Sequence, residues 1–455
     1  MSQEGTKPRR QRRWLRRLGW ALLCLLALVF AFRLIAGFVT QHAVDKRLDA
    51  LRAEGEPILI PEMAPPELPP ERNAAEVYAH AFALFGNRTS KPLHSVATLD
   101  KTRPLTDAEI EEARALVGQF AEAIRLVREG AERPECRFPI GYDTEPAMAI
   151  LLPQLRGVQD AERLLGLSCR VNLADGKADA AAMDCLAMFR VARATEKEPF
   201  SISMFVEGAN FATAARLMRE TLDRTEPSAE ALAKFPFPRP EEQARRRFAR
   251  AMRGERCMGI DAFQGVLDGT FQSSGPADGA SPPPAPRVRR PMSLTLSPLF
   301  LSDFSYYLDT MGRFVDAAGR PGGDGRERWK GAAGAVRAEH QHFRFTRMIS
   351  GYLLPSLTGA DDGCNRGLAS ERVALAGIAL RRFRIDRGEY PDSPAALVPQ
   401  YLPAVPKDPF ADGDLLYRRE GKGFVLYSVG PNGRDDGGTI DSRPGEGDIV
   451  WRLDR

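Results

Sequence analysis

The chain has 455 residues, 43% hydrophobic and 27% charged, a balance that suits a folded protein of two or three domains and excludes a disordered one. Seven of its 64 Lys and Arg fall within residues 1–17 beside a single acid, Glu4, which leaves 57 basic against 59 acidic groups in the remainder. A basic tail on a near-neutral body excludes a nucleic-acid-binding domain, whose positive charge would lie on the fold itself.

That tail (residues 1–17) leads into Leu18–Phe32, fifteen residues without a charge, followed by Arg33 and then Leu34–Val39. A bilayer core takes about 20 apolar residues, and an arginine near one end of the run can reach the headgroups. Residues 18–39 are therefore expected to form a transmembrane helix with the lipid bilayer as partner. The preceding Lys and Arg keep the N-terminus cytoplasmic, so the remainder lies outside the inner membrane. A cleaved signal peptide is the alternative, but the apolar run is long and Arg33–Phe38 offers no clean small-residue cleavage site. Residues 40–71 include the proline-rich stretch Pro61–Pro70, which predicts an extended, stiff spacer.

A helical domain is expected over residues 72–354. In Asn73–Phe85, the residues Ala75, Tyr78, Phe82 and Phe85 recur on one helical face. Thr106 followed by Glu109 reads as a capping box. Leu151–Ala174 and Ala178–Ala194 predict two helices joined by the turn Asp175–Lys177. Leu164, Leu167 and Val171 on the first face Ala182, Leu186 and Phe189 on the second. The hairpin resembles one tetratricopeptide repeat, but no second copy follows at that period. Cys169 and Cys185 face each other across it, either as a disulfide in an oxidising compartment or as two small buried residues.

Six arginines (Arg245, Arg246, Arg247, Arg250, Arg253 and Arg256) crowd one predicted helix, and a solvated basic face is expected there, a lipid-facing one being the alternative. Residues 269–291, rich in Pro, Gly and Ser, read as a disordered loop. The six glycines of residues 319–334 read as a second break.

No catalytic signature stands out. His340 and His342 lie two apart, so on a helix they point in opposed directions and cannot share a metal. Nucleophile-elbow, phosphate-loop and dinucleotide-binding motifs are missing, and no catalytic residue is assigned.

The clearest pattern is C-terminal, over residues 365–455. Ser370 is expected to cap a helix bearing Val373, Ala376, Leu380 and Phe383 on one face, with Gly388 to end it. Strands are expected at Leu415–Arg419, Phe424–Ser428 and Ile449–Leu453, the first two joined by a hairpin turn at Glu420–Gly423. The fold class is thus mainly α, with helix hairpins, one N-terminal transmembrane helix and a small α+β module bearing a three-stranded antiparallel sheet.

Asn432, Asp435, Asp436, Asp441, Glu446 and Asp448 lie among six glycines between the last two strands, a composition that suits either a calcium site or a polar surface loop. Three segments in order, Ile385–Pro391, Pro406–Phe410 and Leu426–Gly438, resemble the C-terminal domain of the major pseudopilin of type II secretion systems. The resemblance covers roughly residues 370–452 and implies a calcium ion held by backbone carbonyls and aspartates after Tyr427–Gly430. On that pattern the ligands are Val429, Asn432, Asp435, Asp436, Asp441 and Asp448. The chain lacks that family's Gly-Phe-Thr-Leu leader and the glutamate five residues into the apolar run. The arrangement as a whole looks like bacterial single-span proteins carrying such a module after a helical region. The reading reached is a membrane-anchored binding or scaffold protein of the cell envelope, with envelope proteins as partners. An extracytoplasmic hydrolase and an accessory subunit of a secretion machinery are the alternatives.

Overall fold

A computed structural model of the chain describes residues 9–85, 105–268, 297–342, 346–439 and 447–454. Helix α1 (Arg9–Ala53) carries the apolar run, and from Arg16 onward it is long and apolar enough to cross a membrane, a description that a signal sequence also meets. The helix does not stop at Val39. No Gly or Pro interrupts residues 40–53, and Val44 and Leu48, one turn apart, are buried among other helices. Gly55, at φ 71°, turns the chain at its end.

The prolines beyond do not make a free spacer either. Ile58, Ile60 and Met63 are buried, and Glu56 accepts hydrogen bonds from Arg253 and Arg256. Proline removes donors but leaves these side chains free to pack, so residues 54–63 lie strapped to the body.

The body comprises α2 (Ala75–Phe85), α3 (Asp107–Gln119), α4 (Ala121–Ala131), α5 (Gln154–Ala174), α6 (Ala178–Ala192) and α7 (Ser201–Arg224). Then come α8 (Ala229–Ala233), α9 (Glu241–Asp268), α10 (Ser297–Gly319), α11 (Gly322–His342), α12 (Ser350–Leu357) and α13 (Ala360–Arg387). Thr106 and Glu109 form the expected capping box on α3. Helices α5 and α6 form the expected hairpin, turned by Gly176 at φ 70°, and all six facing apolar residues are buried. Cys169 and Cys185 are buried thiols with Sγ atoms 3.6 Å apart, not a disulfide.

The glycine-rich break narrows to Arg320–Pro321. Helix α11 starts at Gly322 and runs through four further glycines, because Trp329, Ala332, Ala333 and Val336 bury against α10. The Trp329 ring lies 4.4 Å from that of Phe314. Packing of an apolar face outweighs the poor helix propensity of glycine, about 1 kcal/mol per residue. The loop expected at residues 269–291 falls outside the described residues.

Two apolar cores result. One gathers α2–α8 and the C-terminal sheet; the other gathers the end of α1 with α9–α12. Helix α13 serves both, with Ala360 in the second and Val373–Leu380 in the first. It is longer than the sequence predicts. Ser370 does not cap it but lies within it, its Oγ donating to the Arg366 carbonyl at 2.9 Å. Gly388 ends it as expected, at φ 85°.

Strands β1 (Leu416–Glu420), β2 (Gly423–Ser428) and β3 (Ile449–Leu453) form one antiparallel sheet in that order. Gly421, at φ 57°, and Lys422 make the two-residue hairpin turn. The sheet leans on α13, where Trp451 covers Gly377 so closely that a Cβ there would lie 2.9 Å from the indole.

Helices α7 and α13 cross at Gly208 and Gly367. A Cβ on Gly367 would lie 2.6 Å from the Gly208 Cα, and there is no flexible side chain to yield. Gly367→Val is therefore expected to lower the unfolding free energy by about 1–3 kcal/mol through overpacking. Gly331→Ala, where a Cβ meets nothing within 4 Å, is expected to raise it by about 1 kcal/mol. Thermal melting of the two variants beside the parent chain separates these opposite signs.

Candidate functional site

Three places hold the polar chemistry of the described chain: the C-terminal acidic loop, a buried arginine–carboxylate network, and a groove beside α9.

In the loop, the carboxylates mostly staple their own backbone. Asp435 Oδ1 accepts from the Tyr427 hydroxyl and the Gly437 amide, both at 2.9 Å. Asp448 accepts from the amides of Gly438 at 2.7 Å and Asp436 at 3.4 Å. Asn432 accepts from the Arg434 amide and donates to Asp436. Val429 is buried, and its amide donates to Asp408 at 2.8 Å. Asp441 lies outside the described residues. Among the described residues no three His, Cys, Asp or Glu side chains come together as ligands of a metal ion. Burial raises the pKa of Asp448, its two amide bonds oppose this, and the charges of Asp436 and Asp435 raise it further.

Asp408, within the Pro406–Phe410 segment, anchors the start of this loop. It is buried, its Oδ1 accepting from Ser428 Oγ at 2.7 Å and from the Phe410 amide at 2.9 Å. An Asp bonded to the amide two residues on is an Asx turn, and Asp408-Pro-Phe between loop prolines is a signal that can be read from sequence.

The arginine helix is the main correction. Of the six arginines on α9, only Arg246 is exposed, paired with Glu242 one turn away; Arg245, Arg247 and Arg256 are buried. Helix α9 packs on α10 and α7, is crossed by residues 56–63, and reaches α13 through its side chains, so most of its polar stripe faces inward. Arg247 donates to Glu207 Oε2 at 3.3 Å and to the carbonyls of Glu198 and Thr195. Arg239 donates to Glu207 Oε1 at 2.5 Å, and Arg193 pairs with Glu371. Arg245 reaches Glu241 at 2.7 Å and Asn365 at 3.0 Å, and Arg372 reaches Glu241 and the Lys407 carbonyl. Burial pushes the Glu207 carboxyl up, but Arg239 and Arg247 outweigh this and hold it below the usual value. The cavity beside these groups measures about 30 Å³, far below the ~300–1,000 Å³ of small-molecule sites. The network is a clamp, not a substrate site.

A larger space, of about 520 Å³, lies between the start of α7, one face of α9, and α12. Phe200, Met258, Leu353 and Leu357 line it, and Tyr307 of α10 closes one side. Gly259 allows this, since any Cβ there would overlap the Tyr307 hydroxyl, which donates to the Glu255 carbonyl at 2.8 Å. Glu255 also projects a carboxylate that accepts from the amide and hydroxyl of Ser201, at 3.0 and 2.5 Å. Ser201 opens α7, and the residue before it, Phe200, has no side chain able to cap. A carboxylate from another helix thus caps this N-terminus. Burial raises the Glu255 pKa against those two bonds. The pairing with Ser201 is accounted for by capping and supplies no nucleophile.

A third, open cleft of about 350 Å³ near α2 and α6 is lined by charged groups already paired, as Arg190 with Glu132 and Lys197 with Glu135.

One further acid is left without a partner. Glu162 on α5 is buried, and neither carboxylate oxygen has a hydrogen bond. Burial alone raises its pKa well above 4.5. Folding therefore takes up a proton here: the stability this carries is whole below the unfolded value and is lost as pH rises towards the folded one. Glu162→Met is expected to stabilise the chain by about 1–3 kcal/mol at neutral pH and to lose that advantage at acid pH. Melting curves of parent and variant across pH read the crossover, and a gain that does not change with pH would contradict it.

No family model, curated protein or solved structure matches this chain.

Proposed function

We propose that the protein is a single-span binding or scaffold protein of the cell envelope, anchored in the inner membrane by residues 18–39, with its body and C-terminal module outside the cytoplasm. The continuity of α1 carries this reading. The exposed apolar stretch passes without a break into a segment whose Val44 and Leu48 are buried in the body and whose Arg47 pairs with Asp309 at 2.7 Å. A body built onto the end of its anchor is held close to the bilayer surface, which suits a protein that binds something there. Fusion of alkaline phosphatase after Arg455 is expected to give active enzyme, and the chain is expected to stay in membranes washed with alkaline carbonate. A fluorescent fusion of green fluorescent protein at that end would overturn the orientation, and release by the carbonate wash or a mature N-terminus lying beyond the apolar run would remove the anchor.

The calcium implied by the pseudopilin resemblance belongs to the same proposal. Its support is the hydrogen bonding that gathers Asp435, Asp436 and Asp448 in one loop, Asp448 on the Asp436 and Gly438 amides and Asp435 on the Gly437 amide. An ion bound only by the folded state at 100 times its Kd adds about 2.7 kcal/mol. Calcium is therefore expected to raise the melting temperature of the full chain in detergent, and a chelator to reverse the rise. Identical curves with both would withdraw the ion.

A further inference from the structure

The groove beside α9 is a mostly apolar space with exposed lips. Ile202 and Tyr352 on its wall are 50% and 79% exposed, and Leu151, next to the wall residue Leu152, is 80% exposed. Side chains of this kind are ordinary when scattered, but a contiguous group marks a surface that is covered in use. The volume of about 520 Å³ falls within the ~300–1,000 Å³ usual for small ligands.

We infer that this groove takes one acyl chain of a bilayer phospholipid, the headgroup remaining outside. Charge decides the class of ligand. The wall carries no Lys or Arg, and its one carboxyl, Glu255, is turned to the start of α7 by Ser201. A phosphate, a sugar or an acidic peptide would find no cation and few donors there. An uncharged hydrocarbon chain leaves no polar group of its own unpaired and covers Ile202, Met258 and Leu353. Of the remaining polar wall groups, Tyr307 is satisfied by the Glu255 carbonyl, and Ser356 and Tyr352 lie at the exposed edge, where a glycerol backbone would sit.

The source of the chain follows from the fold. Val44 and Leu48 of α1 share one apolar core with Tyr307, which closes the groove. The groove is thus built onto the helix that carries the apolar run, and acyl chains are at hand if that helix spans a bilayer. In this respect the inference rests on the anchor proposed above.

The test uses the full chain reconstituted in phospholipid vesicles carrying a diazirine near the end of one acyl chain, with a headgroup-labelled lipid as control. After irradiation, mass spectrometry is expected to find tail crosslinks at Met258, Leu353 or Ile202 as well as within residues 18–39. Ser356→Trp, placed at an exposed wall position so that folding is kept, is expected to abolish the groove crosslinks and spare those in the span. Met258→Trp fills the groove from the opposite wall and serves as the second variant. Crosslinks in the span alone overturn this inference and leave the anchor standing. No crosslinks in residues 18–39 overturn the anchor itself. A chain that runs as a dimer in detergent, with Ile202 and Met258 left unlabelled by the tail probe, would assign the groove to self-association and equally overturn the acyl chain.

Discussion

Glu207 and the arginines around it hold the molecule to one arrangement. The carboxylate on α7 binds Arg239, which precedes α9, and Arg247 within α9. Arg245 and Arg372 meet on Glu241, joining α9 to α13, and Arg372 also holds the Lys407 carbonyl of the loop before the sheet. Removing one member of such a set strands a buried charge, at about 3–5 kcal/mol, while replacing the whole by apolar residues is often neutral. Its contribution is therefore to geometry more than to net stability: other packings of these helices would leave charges unpaired.

That geometry matters because α13 is shared. One end lies in the core with α9–α12, and the rest supports the sheet and the first core. The Gly208–Gly367 crossing lets α13 approach α7 backbone to backbone. The C-terminal module is consequently not an appendage on a linker: Arg326 of α11 donates to the Pro431 carbonyl at 2.5 Å and lies over the Phe410 ring. The acidic loop is thereby held to the body through the residues at its start.

The groove is a by-product of the same constraint. The start of α7 needs a cap that Phe200 cannot supply, and Glu255 supplies it from α9. This brings a face of α9 beside α7, Gly259 admits Tyr307, and an apolar trough remains towards α12. The wall is assembled from segments around residues 150, 200, 257, 307 and 354, which are far apart along the chain, so the trough could not be read from the sequence. The same holds for Glu162, whose isolation is a matter of what surrounds it.

Local features were legible. The α5–α6 hairpin with Gly176, the capping box at Thr106, the end of α13 at Gly388 and all three strands follow from apolar period, capping chemistry and glycine φ, which act over a few residues. The acidic loop was legible as composition, and the bonding of its described carboxylates to amides was not. What ran against the sequence was long-range. Six arginines on one helix read as a solvated face until partners on α7, α13 and residues 56–63 took up all but Arg246. Glycines read as a break until Trp329 packed on Phe314, and prolines read as a spacer until Ile58, Ile60 and Met63 found a surface to bury on. The sequence by itself determined which segments are helix, strand and apolar run, because those depend on neighbours along the chain. Only the tertiary structure decided which charges are buried, where α1 joins the body and where an apolar groove lies open. Burial depends on residues brought together from far apart, and a side chain's cost in that environment depends on its partners there.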